Sequence, residues 1–155
     1  MANLKEADFY YGSVLSGLLC RNINPAIVEN DKDRQIMRFT TDQGDFILFL
    51  KYRSKPADTK NPTYRSWQFS FSPDDKHELQ KFLSQSDHLS LGLVCADDKL
   101  DASEYAVLHK EDIQTLFDLG KTSFTISRKK GEKAYRIHIG GGRSRALHIP
   151  SNRAF

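Results

Sequence analysis

One stretch of the chain, residues 44–72, most strongly limits the possible folds. Its apolar run at 46–50 ends abruptly at Lys51, and a second run with strong strand propensity covers 67–71. Ser72 is followed by a proline and two aspartates, the pattern of a helix start in which serine is the N-cap. The stretch therefore predicts two paired strands with a cationic end, followed by a helix.

A cluster of cations lies between these two strands. It consists of Lys51, Arg53, Lys55, Lys60 and Arg65. Alternate residues of a strand point the same way, so Lys51, Arg53 and Lys55 could follow one phosphate backbone. Charge that protects an edge strand from aggregation is the alternative interpretation. The aromatic residues Tyr52, Tyr64 and Trp67 lie among the cations. They could stack on exposed bases, or they could pack in the core.

Length and composition favour one folded domain over residues 1–155. The chain is 39% hydrophobic and long enough to bury a core without disulfides or metals. No apolar run approaches the ~20 residues of a membrane span, and the first twelve residues lack the pattern of a signal peptide. Cys20 and Cys95 both lie in apolar surroundings, which predicts buried and unpaired thiols. Together these features predict a cytoplasmic protein.

Charge is distributed unevenly along the chain, although the net charge is only +3. Residues 1–71 carry a net +2, residues 72–120 a net −7, and residues 121–155 a net +8. The last part, a predicted basic hairpin and tail from about residue 121, favours contact with nucleic acid. The acidic and basic parts could instead be complementary surfaces for another protein or for self-association.

Hydrophobic periodicity predicts a mixed pattern of helices and strands. Helices are predicted over 4–20, from Ser72 onward and over 109–119. Strands are predicted over 34–41, 45–52, 67–71, 89–96, 105–108, 124–128 and 134–139, with a further short strand over 146–149. We therefore expect an α/β (α+β) fold, with a single mixed sheet flanked by helices in the order α-β-β-β-α-β-β-α-β-β.

Three consecutive glycines at 140–142 precede Arg143 and Arg145. Such a loop could form a backbone nest for a phosphate. It does not join a strand directly to a helix as nucleotide-binding loops do, so a plain turn is the alternative. Together with Lys129 and Lys130 in the predicted hairpin turn, the two arginines are candidate contacts for nucleic acid.

The order of a helix, three strands, a helix and a buried strand resembles the core of restriction-endonuclease-like, PD-(D/E)XK nucleases over about residues 1–96. In that family the second core strand carries an acidic residue near its start and a second carboxylate two residues before a lysine. A divalent metal between the carboxylates activates water. Here Asp45 opens the strand and Lys51 closes it, and Glu6 could supply a carboxylate from the first helix. Phe49 stands where the family has its second carboxylate, so the resemblance implies a nuclease-like fold that has lost its metal site.

The segments KYRSKP at 51–56, SWQFSFS at 66–72 and LGLVCADDKLDASEYAVLHKEDI at 91–113 also resemble a recurring family of small bacterial proteins without an assigned activity. That resemblance implies no catalytic residue. A place in a bacterial defence or mobile-element system follows from resemblance alone.

We therefore expect a non-catalytic nucleic-acid-binding module that takes no cofactor and binds DNA. It would contact phosphates through Lys51, Arg53, Lys55, Lys129, Lys130, Arg143 and Arg145, with Tyr52 and Trp67 against bases. Two alternatives stay open. One is a Mg²⁺-dependent nuclease that uses Glu6, Asp45 and Lys51 with a displaced carboxylate. The other is a protein–protein adaptor or a subunit of a larger complex.

Overall fold

The computed structural model describes residues 3–31, 34–58, 61 and 63–153, and for Arg143 it describes the backbone alone. Within these residues the chain forms three α-helices and nine strands, with short 3₁₀ helices at Leu100–Ala102 and Arg143–Arg145. The elements are α1 (Glu6–Cys20), β1 (Ile27–Asn30), β2 (Gln35–Thr41), β3 (Gly44–Arg53), β4 (Tyr64–Ser70), α2 (Pro73–Gln85), β5 (Leu89–Cys95), β6 (Glu104–His109), α3 (Lys110–Asp118), β7 (Ser123–Lys129), β8 (Ala134–Ile137) and β9 (Leu147–Pro150).

The strands are divided over two sheets. The first has the order β1-β2-β3-β5-β6, in which β3 and β5 are parallel and the other neighbours antiparallel. The second is antiparallel throughout and has the order β4-β7-β8-β9. The α/β class and the approximate order of the elements are confirmed, and β1 is an additional strand that the sequence pattern did not predict.

The predictions of one sheet and of pairing between β3 and β4 are wrong. All seven residues of β5 are buried, as expected for a strand covered on both faces, and β5 takes the place beside β3. The strand β4 instead has one buried and one solvent-facing side over most of its length. Such a strand suits the rim of a second, half-solvated sheet, where it pairs with β7.

The first sheet is covered on both faces. Tyr11 and Leu18 of α1 pack on one face against residues such as Met37 and Leu48. The other face packs against α2, α3 and the second sheet in the larger core cluster. No helix in the described part of the chain is long and apolar enough to cross a membrane.

The helix start at Ser72 is confirmed, because Ser72 and Asp75 form a reciprocal capping box. The Asp75 amide donates to Ser72 Oγ at 3.0 Å, and the Ser72 amide donates to Asp75 Oδ2 at 3.1 Å. Both cysteines are free, but only Cys95 is buried. The prediction of burial is wrong for Cys20, which follows Tyr11 by nine residues and so lies on the opposite face of α1.

Candidate nucleic-acid interface

A polar cleft of about 330 Å³ opens where β3 ends beside β4. It is lined by Glu6, by residues 51–54 and by residues 68–70. The carboxyl ends of the parallel strands β3 and β5 lie side by side here, with Arg53 opposite Cys95. Ligands of open α/β sheets commonly bind outside the carboxyl ends of parallel strands. The cleft thus brings together four of the residues that the sequence singled out: Glu6, Lys51, Tyr52 and Arg53.

The charge of Lys51 is already neutralised inside the protein. Lys51 is only 8% exposed, and its Nζ lies 2.5 Å from Asp75 Oδ2 and 5.0 Å from the centre of the Phe71 ring. The other carboxylate oxygen of Asp75 accepts a hydrogen bond from Arg34 Nη1 at 2.7 Å. The prediction that Lys51 contacts phosphate is therefore wrong, because its ammonium group is held by a buried carboxylate.

Asp75 is the centre of this ion cluster. Its side chain is completely buried, whereas Asp74 and Asp31, which also bind Arg34, are largely exposed. Burial alone would raise the pKa of the Asp75 carboxyl, but hydrogen bonds from Lys51 and Arg34 outweigh burial and hold the pKa below its ordinary value. Asp75 is thus a carboxylate that ties the start of α2 to the end of β3 and to the chain before β2.

Tyr52 is half-buried and packs against α1. Its ring centre lies 5.0 Å from that of Tyr10 and 5.4 Å from that of Tyr11, against which it packs edge-on. Burial raises the pKa of Tyr52, and the Glu6 carboxylate, which is hydrogen-bonded to the phenol, raises it further. Part of the ring is thus occupied by contacts within the protein, and stacking of Tyr52 on bases stays a prediction.

Trp67 is a core residue. It is fully buried, and its Nε1 donates to the carbonyl oxygen of Ala96 at 2.8 Å. Its ring is also covered by the Arg65 guanidinium at 5.1 Å. The prediction that Trp67 stacks on bases is wrong, and the alternative, that Trp67 packs in the core, is confirmed. Tyr64 is half-buried, and its hydroxyl lies 3.4 Å from His138 Nε2.

The structure does not assemble the site of the nuclease alternative. Asp45 lies six residues before Lys51 at the opposite end of β3, a separation of ~20 Å in an extended strand. There it accepts a hydrogen bond from Thr40 Oγ1 at 2.7 Å and borders a different cavity. In the described ranges, no three or more His, Cys, Asp or Glu side chains are grouped so that they could hold a metal ion.

Two exposed cations follow the open side of β4. Arg53 ends β3, and the chain then runs back along β4, where the Ala57 amide donates to the Ser66 carbonyl at 2.8 Å. Arg53 and Lys55 are both exposed, and neither has an ion-pair partner among the described residues. The backbone thus places two exposed cations, neither in an ion pair among the described residues, beside the edge of the second sheet.

Two further cations lie at the start of β4. Lys129 is paired in register with Tyr64, and the Lys130 amide donates to the Thr63 carbonyl at 2.7 Å. Both lysines are exposed, and the described part of the chain gives neither ammonium group an ion-pair partner. Arg53 lines the polar cleft together with Gln68, which lies four residues and ~13 Å along β4 from Tyr64. We call Arg53, Lys55, Lys129 and Lys130 the β4 rim.

Much of the remaining positive charge takes part in folding. Arg128 Nε lies 2.5 Å from Glu104 Oε1, and Arg153 Nη1 lies 2.6 Å from Asp112 Oδ2. Arg65 also binds Glu104. The acidic middle segment is therefore partly neutralised by arginines of the segments on either side. The uneven charge along the sequence overstates the charge that is available to a partner.

Arg145 lies apart from the β4 rim. The glycines at 140–142 all have positive φ, between 80° and 97°, and lead into the 3₁₀ helix that contains Arg145. This loop follows β8, whereas the turn with Lys129 and Lys130 precedes β8, so the two are separated by its length of ~13 Å. Lys60 and the side chain of Arg143 lie outside the described residues.

Sequence reasoning missed the buried partners of Lys51. The aspartate at the third helical position after Ser72 marks Asp75 as part of a cap, but nothing in the pattern joins it to a strand lysine 24 residues earlier. The sequence around Arg34 does not indicate a buried ion pair either, because an arginine next to a strand is ordinarily solvated.

The comparisons found no matching family model, no matching curated protein and no matching solved structure. The resemblances to PD-(D/E)XK nucleases and to a family of small bacterial proteins accordingly stay predictions.

Proposed function

We propose that this protein is a non-catalytic nucleic-acid-binding module that contacts the phosphate backbone through the β4 rim. The proposal is supported by a contrast between the cations of the β4 rim and other cations nearby. Lys51, Arg34 and Arg65 are each bound to a carboxylate. The four rim cations are exposed and without an ion-pair partner within the described residues, although they flank the same strand.

The spacing of the rim suits a nucleic-acid strand. Arg53 lies beside Gln68 and Lys129 beside Tyr64, two positions ~13 Å apart along β4, which corresponds to about four nucleotides of one strand at 3.4 Å each. Contacts of this kind position a protein on a duplex without selecting a sequence. DNA is the expected partner, and a displaced-carboxylate nuclease lacks support because Asp45 and Lys51 lie at opposite ends of β3.

Salt dependence gives the first test. Each phosphate contact contributes about −0.9 to the slope of the logarithm of the association constant against the logarithm of the salt concentration. Four contacts to duplex DNA therefore predict a slope of about −3.6. The measurement is fluorescence anisotropy of labelled duplex DNA, single-stranded DNA and RNA, each titrated at several salt concentrations with EDTA and again with Mg²⁺. We expect binding in both and cleavage in neither.

Charge reversal locates the surface. The double variant Arg53→Glu/Lys55→Glu should weaken binding at least tenfold and make the slope shallower by about 2, since two contacts are lost. Arg21→Glu is the matched control, because Arg21 is also exposed but lies after α1. Equal loss of binding in the control and the double variant, or no binding at low salt, would contradict the proposal.

The two free thiols support a cytoplasmic location as part of the same proposal.

A further inference from the structure

The first sheet has an open edge at β1. Among the described residues β1 pairs only with β2, and the Asp31 amide donates to the Arg34 carbonyl at 3.0 Å. In an antiparallel pair the hydrogen-bonded positions alternate. Glu29 and Ile27, two and four residues before Asp31, therefore also direct their backbone groups to β2. The N–H and C=O groups of Val28 and Asn30 point outward, away from the sheet.

The opposite edge of this sheet is covered. Arg153 Nη1 lies 3.4 Å from the Val107 carbonyl of β6, and β9 contacts the same strand. β1 contains neither lysine nor proline, residues that protect exposed edges from pairing with other chains. Instead Ile27 is 49% exposed and Val28 is 42% exposed, one on each face of the edge. An uncovered β-branched edge of this kind is suited to strand addition.

The strand β1 itself carries one charged side chain, the carboxylate of Glu29. Glu29 lies on the same face as Ile27, because the two are separated by one residue along the strand. Glu29 is exposed, and no described residue forms an ion pair with it. Nearby, the carboxylates of Asp31, Asp74 and Asp75 bind Arg34 and Lys51, and neither of these two cations forms an ion pair with Glu29. A strand that pairs with β1 should therefore place a cation opposite Glu29.

A second copy of the chain fits this edge poorly when the two Glu29 residues lie opposite each other. If two β1 strands pair antiparallel through the outward groups of Val28 and Asn30, Glu29 faces its own copy in the closely spaced, non-hydrogen-bonded position. Like charges directly opposite each other destabilise such a pair. A polypeptide with a cation at that position replaces the repulsion by attraction, so a different protein is the better occupant.

We propose that β1 binds an extended basic segment of a partner protein as a sixth strand of the first sheet. The partner's backbone pairs with Val28 and Asn30, an apolar side chain lies beside Ile27, and a lysine or arginine lies opposite Glu29. This surface is distinct from the β4 rim, so its occupation is independent of nucleic-acid binding.

The probe is the capped peptide Lys-Thr-Lys-Val-Ile, which in antiparallel register places lysines opposite Asp31 and Glu29 and isoleucine opposite Ile27. The peptide Glu-Thr-Glu-Val-Ile is the charge-reversed control. Binding to the full chain is followed by backbone amide NMR shifts and by hydrogen exchange. We expect slowed exchange of the Val28 and Asn30 amides with the basic peptide, and at least tenfold weaker binding of the acidic one.

Two substitutions make the test specific to the edge. Val28→Pro removes an outward N–H and leaves the pairing with β2 intact, so it should abolish peptide binding, whereas Val28→Thr keeps the N–H and should bind normally. Thermal unfolding of both variants checks that each is folded. Glu29→Lys should reverse the preference between the two peptides.

Four results would overturn the proposal: no amide shifts at millimolar peptide, shifts that map away from β1, normal binding by folded Val28→Pro, or an unchanged preference in Glu29→Lys. Concentration-dependent dimerisation of the free chain that is lost in Val28→Pro would also overturn it, by making a second copy the occupant.

Discussion

Asn in place of Asp75 should be among the most destabilising single substitutions in this protein. The carboxylate is completely buried and accepts charge-assisted hydrogen bonds from Lys51 Nζ at 2.5 Å and Arg34 Nη1 at 2.7 Å. Two such bonds at about 1.5–3 kcal/mol each give a loss of ~3–6 kcal/mol. The usual cost of leaving a buried charge unpaired, about 3–5 kcal/mol, agrees with that range. Urea unfolding of Asp75→Asn and the wild type measures the difference.

Asp74→Asn is the matched control. Asp74 is the preceding residue and also binds Arg34, at 2.7 Å, but its side chain is 68% exposed. Exposed pairs contribute about 0–1 kcal/mol, so the two neighbouring substitutions should differ by several-fold in their effect. Adding Lys51→Met to Asp75→Asn should recover part of the loss, because it removes one of the two orphaned cations. A cost below about 1 kcal/mol for Asp75→Asn would refute the importance of the buried cluster.

The pH dependence should identify the same carboxylate. Because the folded protein lowers the pKa of Asp75, its contribution is fully present above the unfolded value of about 3.9 and is lost as pH falls through the folded value. The stability difference between the wild type and Asp75→Asn should therefore shrink below about pH 4. A difference that stays constant down to pH 2 would assign the stabilisation to packing instead.

Two further predictions concern close packing and thiol exposure. Gly92→Ala should cost about 1–3 kcal/mol in urea unfolding, because a Cβ there would lie 2.5 Å from the Tyr105 hydroxyl oxygen. Gly17→Ala is its control and should stabilise by about 0.5–1 kcal/mol, since it lies in α1 with open space around the position. In the native protein a thiol reagent should modify Cys20 alone, while Cys95, whose pKa is raised by burial, should react only after unfolding. Rapid modification of two thiols per folded chain would contradict the burial of Cys95.

Local patterns in the sequence were sufficient to predict most of the elements. The capping box at Ser72, the apolar run of β5 and the helical spacing of α1 each act within a few residues, so they are legible without the rest of the molecule. The exception is β1, whose four exposed residues show no alternation of burial, and therefore no periodic signal.

The division into two sheets was decided only by the tertiary structure. Strand propensity does not state which strand lies beside which, because pairing depends on residues distant in sequence. Here the seven buried residues of β5 required an interior position next to β3, and β4 paired instead with β7, more than fifty residues further along the chain.

The cations after the apolar run of β3 also look alike in the sequence and differ only in the folded protein. Lys51, Arg53 and Lys55 are equivalent in the sequence, since each is a basic residue at an alternate position after the same apolar run. The folded chain brings Asp75 to Lys51 and leaves Arg53 and Lys55 in solvent. The sequence by itself determined the positive charge at the end of β3. Which part of it a partner can reach was decided by long-range contacts, because a buried charge must find a counter-charge and an exposed one need not.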